Sequence, residues 1–205
     1  MPNASHHEIV VVGGGTAGIT VAAQLTKGWR GRRDVAIVEP SDKHYYQPLW
    51  TLVGGGLARK EATERPERSV IPRRAHWIRD AVSGFEPAQH AIHTRDGRTI
   101  TYDWLVVGAG LQLYWEKIPG LEESLGKDGV CSNYSYATVD STWEAIRNFR
   151  GGNAIFTNPS GAVKCGGAPQ KIMYLADDRF REAGVRDQAR ILYFSALPNI
   201  FAVEP

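Results

Sequence analysis

The chain has 205 residues, 42% hydrophobic and 22% charged, with a formal net charge of +2. That length holds one good-sized domain or a complete domain with part of a second, and the composition excludes a disordered tract. Two cysteines without paired spacing exclude a disulfide-stapled scaffold and a structural metal centre, and leave a reducing compartment as the default.

The start, Met1 to His7, lacks a basic region ahead of an apolar one, so neither a signal nor a transit peptide is expected. Glu8 to Val12 is a β-branched run that stops at Gly13-Gly14-Gly15. From Thr16 to Thr26, small and apolar residues recur at helical spacing. The reading is strand, tight turn, helix. Asp34 to Val38 is a second strand whose continuous apolar character suits a parallel sheet covered on both faces, and it ends at Glu39.

Gly13, Gly15 and Gly18 therefore fill a G-x-G-x-x-G pattern in the context that gives it meaning, after a strand and at the mouth of a helix. The first glycine permits the turn, the second lets backbone approach a pyrophosphate, and the third lets helix and strand pack closely. Amides of Gly14, Thr16 and Ala17 complete the phosphate-facing loop, where the helix end favours an anion. Glu39, about 20 residues on, stands where an acid hydrogen-bonds the ribose hydroxyls. This is a site for the ADP half of a dinucleotide, either FAD or NAD.

Residues 41–75 are rich in Gly, Pro and Arg, with one short helix expected near Tyr46 to Leu52, and read as long connections lying over a ligand. Basic residues from Arg59 to Arg79 are interleaved with Glu61, Glu64, Glu67 and Asp80, which predicts a solvated loop and no nucleic-acid surface. Ala75 to Tyr102 alternates polar and apolar residues between turn signals, the pattern of an antiparallel insertion. Leu105 to Val107 is a short buried strand stopping at Gly108-Ala109-Gly110. That segment resembles the second flavin-contact segment of flavoprotein reductases with two dinucleotide domains, which favours FAD. His44, Tyr45, Tyr46 and Gln47 are candidates to wall the flavin.

A helix is expected from Val139 to Phe149, a strand from Asn153 to Thr157, a helix from Gly167 to Glu182 and a strand from Ala189 to Phe194. The expected fold is α/β: a Rossmann-type FAD domain over 1–115 with an antiparallel β insertion, a linker over 116–152, and an incomplete second Rossmann-like domain over 153–205. The longest apolar stretches, such as Leu105 to Trp115, fall short of the ~20 residues that span a bilayer.

After the strand at 153–157 no second glycine motif follows, so a nicotinamide cofactor lacks its phosphate cradle. Cys165 stands there instead, followed by Gly166-Gly167 and a helix. The helix end and the adjacent Lys164 both favour a thiolate. Cys131 is expected to pack.

The runs Val38 to Ser41, His44 to Thr51, Ser69 to Pro72, Ser132 to Tyr134, Gly152 to Thr157 and Val163 to Leu175 together resemble the sulfide:quinone oxidoreductases of the mitochondrial type. The resemblance implies a membrane-surface enzyme, on the cytoplasmic side in a bacterium. There, sulfide is oxidised at paired redox cysteines, a persulfide forms, two electrons pass through FAD to quinone, and sulfane sulfur leaves to an acceptor. Cys165 matches the first redox cysteine, its thiolate acting on the flavin C4a, and Gln47 and Val82 match flavin-contacting positions. The second redox cysteine, a Gly-Asp flavin segment, the quinone pocket and the membrane-docking helices are expected beyond Pro205, so the chain as written is expected to be an incomplete, inactive portion. Alternatives are a type II NADH:quinone dehydrogenase, a flavocytochrome-type sulfide dehydrogenase, and a non-catalytic FAD-binding fragment. Oligomeric state is not legible.

Overall fold

The structure is a computed structural model that describes residues 4–27, 33–161 and 163–197. Residues 1–3, the first part of the Met1 to His7 segment in which no leader is expected, and residues 198–205 lie outside the described residues. The first elements in chain order are β1 (Ala4–Val12), α1 (Thr16–Lys27), β2 (Val35–Val38), β3 (Lys43–Tyr45), α2 (Trp50–Gly54), β4 (Glu64–Pro66), α3 (Glu67–Val70) and β5 (Ala75–Ile78). They are followed by β6 (Val82–Glu86), β7 (Ala91–Thr94), β8 (Thr99–Val107), α4 (Leu121–Ser124), α5 (Val139–Asn148), β9 (Gly152–Asn158), α6 (Ala168–Glu182) and β10 (Ala189–Ser195).

These elements form two compact units, residues 1–45 with 64–112 and residues 46–63 with 113–205. The first holds a six-stranded sheet in the order β5-β2-β1-β8-β7-β6. Strands β5, β2, β1 and β8 are parallel, and β8, β7 and β6 continue antiparallel. Side chains along β1 alternate between two cores. Val10 and Val12 join Ala36, Val38, Ile92, Ile100 and Tyr102 on one face, while Ile9 and Val11 join Ala22 of α1, Val35 and Ile37 on the other. A sheet buried on both faces explains why β1 and β2 read as unbroken apolar runs.

Two expectations are corrected in this unit. Ala75–Ile78 is not part of the antiparallel insertion but the outermost parallel strand, with Val38 opposite Ile78. The strand expected at 105–107 is the end of β8, a single nine-residue strand that pairs with β7 at one end and runs beside β1 over its length. Asp103, between the two segments, lies on an exposed position and faces His6 at 3.7 Å.

The second unit pairs β9 and β10 in parallel, with Gly152 opposite Ala189 and Asn158 opposite Ser195, across the connecting helix α6. Its core joins Ile172, Ala176 and Phe180 of α6 to Ile146 of α5, with Phe149 stacked on Phe180 at 4.3 Å. The expected linker contributes α5 to this core, and residues 46–63 belong with it as well. The glycines after Leu52 make that packing possible. A Cβ on Gly55 would stand 2.7 Å from Leu175 Cδ1, and one on Gly56, where φ is +77°, would stand 2.6 Å from the Trp143 ring.

Candidate dinucleotide site and cysteine segment

Register in the parallel sheet assembles the first site. Val12 is opposite both Val38 and Val107, so the residues that follow them, Gly13, Glu39 and Gly108, leave the sheet at one edge. This is the switch point of the strand order, where β1 lies between β2 and β8 and where open α/β sheets bind ligands. Gly13 N–H donates to Val38 O at 2.9 Å and Gly108 N–H to Val12 O at 2.8 Å, which tie the turn to both neighbours.

The glycine positions are sterically required. Gly13 has φ +99°, and a Cβ there would stand 2.5 Å from Gly108 O. A Cβ on Gly18 would stand 1.9 Å from Gly13 O, so α1 starts hard against the turn. Gly15 faces open space, and Gly15, Thr16 and Ala17 are exposed. Ile19 N–H donates to Gly15 O at 3.0 Å as the helix begins, and the first-turn amides have no intrahelical carbonyl to meet. They suit an anion.

The Glu39 carboxylate accepts Gly14 N–H and Ser41 N–H, each at 2.7 Å, one on either oxygen. Each oxygen keeps a lone pair for a ribose hydroxyl. His44, which was expected to wall the flavin, is buried, and its Nδ1 lies 3.3 Å from Gly14 O. The sequence reading missed Glu67. Expected in a solvated loop, it is 1% exposed, its N–H donates to Asp42 O at 2.7 Å, and its Oε1 has no hydrogen-bond partner. A Cβ on Gly14 would stand 2.5 Å from that oxygen. Burial, reinforced by the nearby Glu39 charge, pushes the Glu67 carboxyl up to about 7.

Val82 opens β6 in the same unit, half-buried against the Val10 core. Ala109 and Gly110 follow Gly108 and are exposed, with Gly110 at φ +75°. Gln47 falls in the second unit, exposed in a single 3₁₀ turn, Gln47–Leu49, ahead of α2.

The second unit also carries the cysteine segment. Cys165 is exposed and free, and its carbonyl accepts Ala168 N–H at 3.2 Å as α6 begins. The same carbonyl accepts the Tyr134 hydroxyl at 3.0 Å. Burial and the neighbouring Cys165 and Tyr193 push that hydroxyl up to about 12, so it remains a donor at neutral pH. Lys164 Nζ donates to the Tyr134 carbonyl and lies over the Trp50 ring at 4.7 Å and the Tyr134 ring at 5.2 Å. Burial brings its ammonium down to about 8. Two crossed hydrogen bonds thus lace the Ser132–Tyr134 run to the cysteine peptide, with Lys164 bound to the backbone of Tyr134. Cys131 is half-buried, and burial raises its thiol against the pull of a Thr142 hydrogen bond. No cluster of metal-ligating side chains occurs among the described residues.

The fold and glycine turn define a Rossmann-type dinucleotide-binding domain. Residues 7–145 match the pyridine nucleotide-disulphide oxidoreductase family, and the chain belongs to it. Members of that family are FAD-binding flavoproteins, in line with the cofactor expected from sequence. More narrowly, the chain is 50% identical over 198 residues to the mitochondrial sulfide:quinone oxidoreductase of Dictyostelium discoideum, covering 96% of this chain and 44% of that one. It is 46% identical over 200 residues to the mitochondrial sulfide:quinone oxidoreductase of Mus musculus, covering 98% and 44%. The resemblance read from the cysteine segment is the one these relatives carry. The crystal structure of the sulfide:quinone oxidoreductase from Aquifex aeolicus superposes with a TM-score of 0.73 at 20% identity over 95% of this chain and 44% of that one, which supports the fold. The chain spans less than half the length of the curated relatives it matches.

Proposed function

We propose that this chain is the dinucleotide and first-cysteine portion of a sulfide:quinone oxidoreductase. The observation that carries the reading is the exposed Cys165 thiol at the head of α6, standing after β9 where a nicotinamide-binding domain would place a second glycine turn. A type II NADH dehydrogenase needs that turn.

The residues present fit the ADP half of FAD. The first-turn amides at Gly15 to Ala17 take the pyrophosphate, Glu39 takes the ribose hydroxyls, and Gly108 to Gly110 with Val82 complete the cofactor set within the first unit. When bound, FAD supplies a two-electron acceptor. Cys165 supplies the reacting thiolate: as its sulfur and that of hydrosulfide join in a new sulfur–sulfur bond, the pair would give up one proton and two electrons to that acceptor, leaving a persulfide. Quinone would take up those electrons in turn, and a nucleophilic acceptor would remove the sulfane sulfur. Tyr134 and Lys164 hold the cysteine peptide in one conformation, so that the thiol is presented rather than packed. Among the described residues no helix is long and apolar enough to cross a membrane, and quinone access fits attachment at a membrane surface.

The test is sulfide-dependent quinone reduction by the intact protein. Cys165→Ser is expected to retain bound flavin and lose at least a hundredfold in sulfide turnover, the scale on which a lost nucleophile registers. Full sulfide turnover in that variant would remove the proposed chemistry while leaving the nucleotide site standing.

A further inference from the structure

Three side chains converge on one residue of the glycine turn. Glu39 accepts the Gly14 N–H at 2.7 Å, His44 Nδ1 lies 3.3 Å from the Gly14 carbonyl, and the Glu67 carboxyl occupies the space in which a side chain at position 14 would lie. The first two are contacts a phosphate loop can use. The third needs explaining, because a buried carboxyl with an unsatisfied oxygen is costly and is retained only where it serves a purpose.

We propose that Glu67 is a positioning residue of the ADP site that works as a neutral carboxylic acid, so that its ionisation disturbs the turn at Gly14 and weakens nucleotide binding. The inference rests on reading this turn as the ADP site, and on two charges that cannot comfortably coexist there. Glu39 has to be a carboxylate to accept two amides and ribose hydroxyls. A second carboxylate beside it would repel Glu39 and oppose the diphosphate arriving on the same turn. A protonated Glu67 removes both repulsions.

The ionisable groups that face this carboxyl are Glu39, at the end of β2, and His44 of β3, whose Nδ1 is 3.8 Å from Glu67 Oε2. With the Glu67 carboxyl titrating near 7, the neutral form predominates at acid pH and is lost as pH rises through that value. An anionic ligand on the turn pulls the carboxyl further up, so ligand and proton bind with mutual support.

The experiment is calorimetric titration of the flavin-stripped intact protein with ADP and with FAD from pH 5.5 to 8.5. In the unsubstituted protein the Kd for each is expected to rise about tenfold over that range, the effect of a one-unit shift in the Glu67 carboxyl on binding. In Glu67→Gln, which keeps the shape and removes the charge, the Kd is expected to stay near its acid-side value throughout. A Kd independent of pH in the unsubstituted protein overturns the proposal. So does a pH dependence that persists unchanged in Glu67→Gln, which would assign it to His44. Absence of ADP binding at every pH overturns the nucleotide site itself, whereas failure of sulfide turnover with normal ADP binding touches only the sulfur chemistry.

Discussion

Lys164 shows how a single residue changes meaning between sequence and structure. Beside Cys165 it reads as a cation for a thiolate, but its ammonium is half-buried, lies over two aromatic rings and is bound to the Tyr134 carbonyl. Burial lowers it to about 8 from an ordinary 10.5. Between those values the unfolded chain binds more protons at this site than the folded one, so its contribution to stability rises with pH across that window. Urea midpoints should show this as a widening advantage of the unsubstituted protein over Lys164→Met from pH 8 to pH 10.5, with a constant difference below pH 7. A difference that is flat with pH would mean that the burial is not felt by the amine. Glu67 has the same lesson with the opposite sign: nothing in an Arg-rich run marks one of several glutamates as the one that the fold encloses.

At the scale of elements, legibility followed how local the cause was. The path from β1 through the glycine turn and α1 to Glu39 was readable because each step is written in consecutive residues: apolar run, glycines, helical spacing, terminal acid. The pairing of β5 was not, since an alternating strand says which face is buried but not which neighbour it chooses. The two halves of β8 read as separate segments because alternation up to Tyr102 gives way to a continuous apolar run from Leu105, and pattern alone does not show that one strand carries both. In 46–63 the short helix expected near Tyr46 to Leu52 is present as Gln47–Leu49 and α2, whereas the rest reads as connection because its packing depends on residues 80 and more positions distant, such as Trp143 and Leu175. That packing can be tested at Gly56. An alanine there meets both the +77° φ and the Trp143 ring, and should destabilise the second unit by about 1–3 kcal/mol. The loss should be read from the urea midpoint, and an unchanged midpoint would show that the ring moves aside without cost.

For the whole molecule, two separate cores imply that ligands and substitutions act first on the unit that carries them. The proposed ADP site lies within residues 1–45 and 64–112, on main-chain groups whose geometry depends on the sheet beneath them. Trp77 ties β5 to the end of β2 there, its indole N–H donating to the Glu39 carbonyl at 2.9 Å. A ligand that binds only the folded form adds about 2.7 kcal/mol at a hundredfold excess over its Kd. ADP at that level should therefore raise the calorimetric unfolding temperature without help from sulfide or quinone. Gly18→Ala places a methyl group 1.9 Å from the Gly13 carbonyl and should abolish the ADP-induced rise as well as lower the starting stability. If the rise survived in Gly18→Ala, the nucleotide would be held somewhere other than the turn between β1 and α1. The family fold would stand, but Gly13, Glu39 and Glu67 would lose their common purpose.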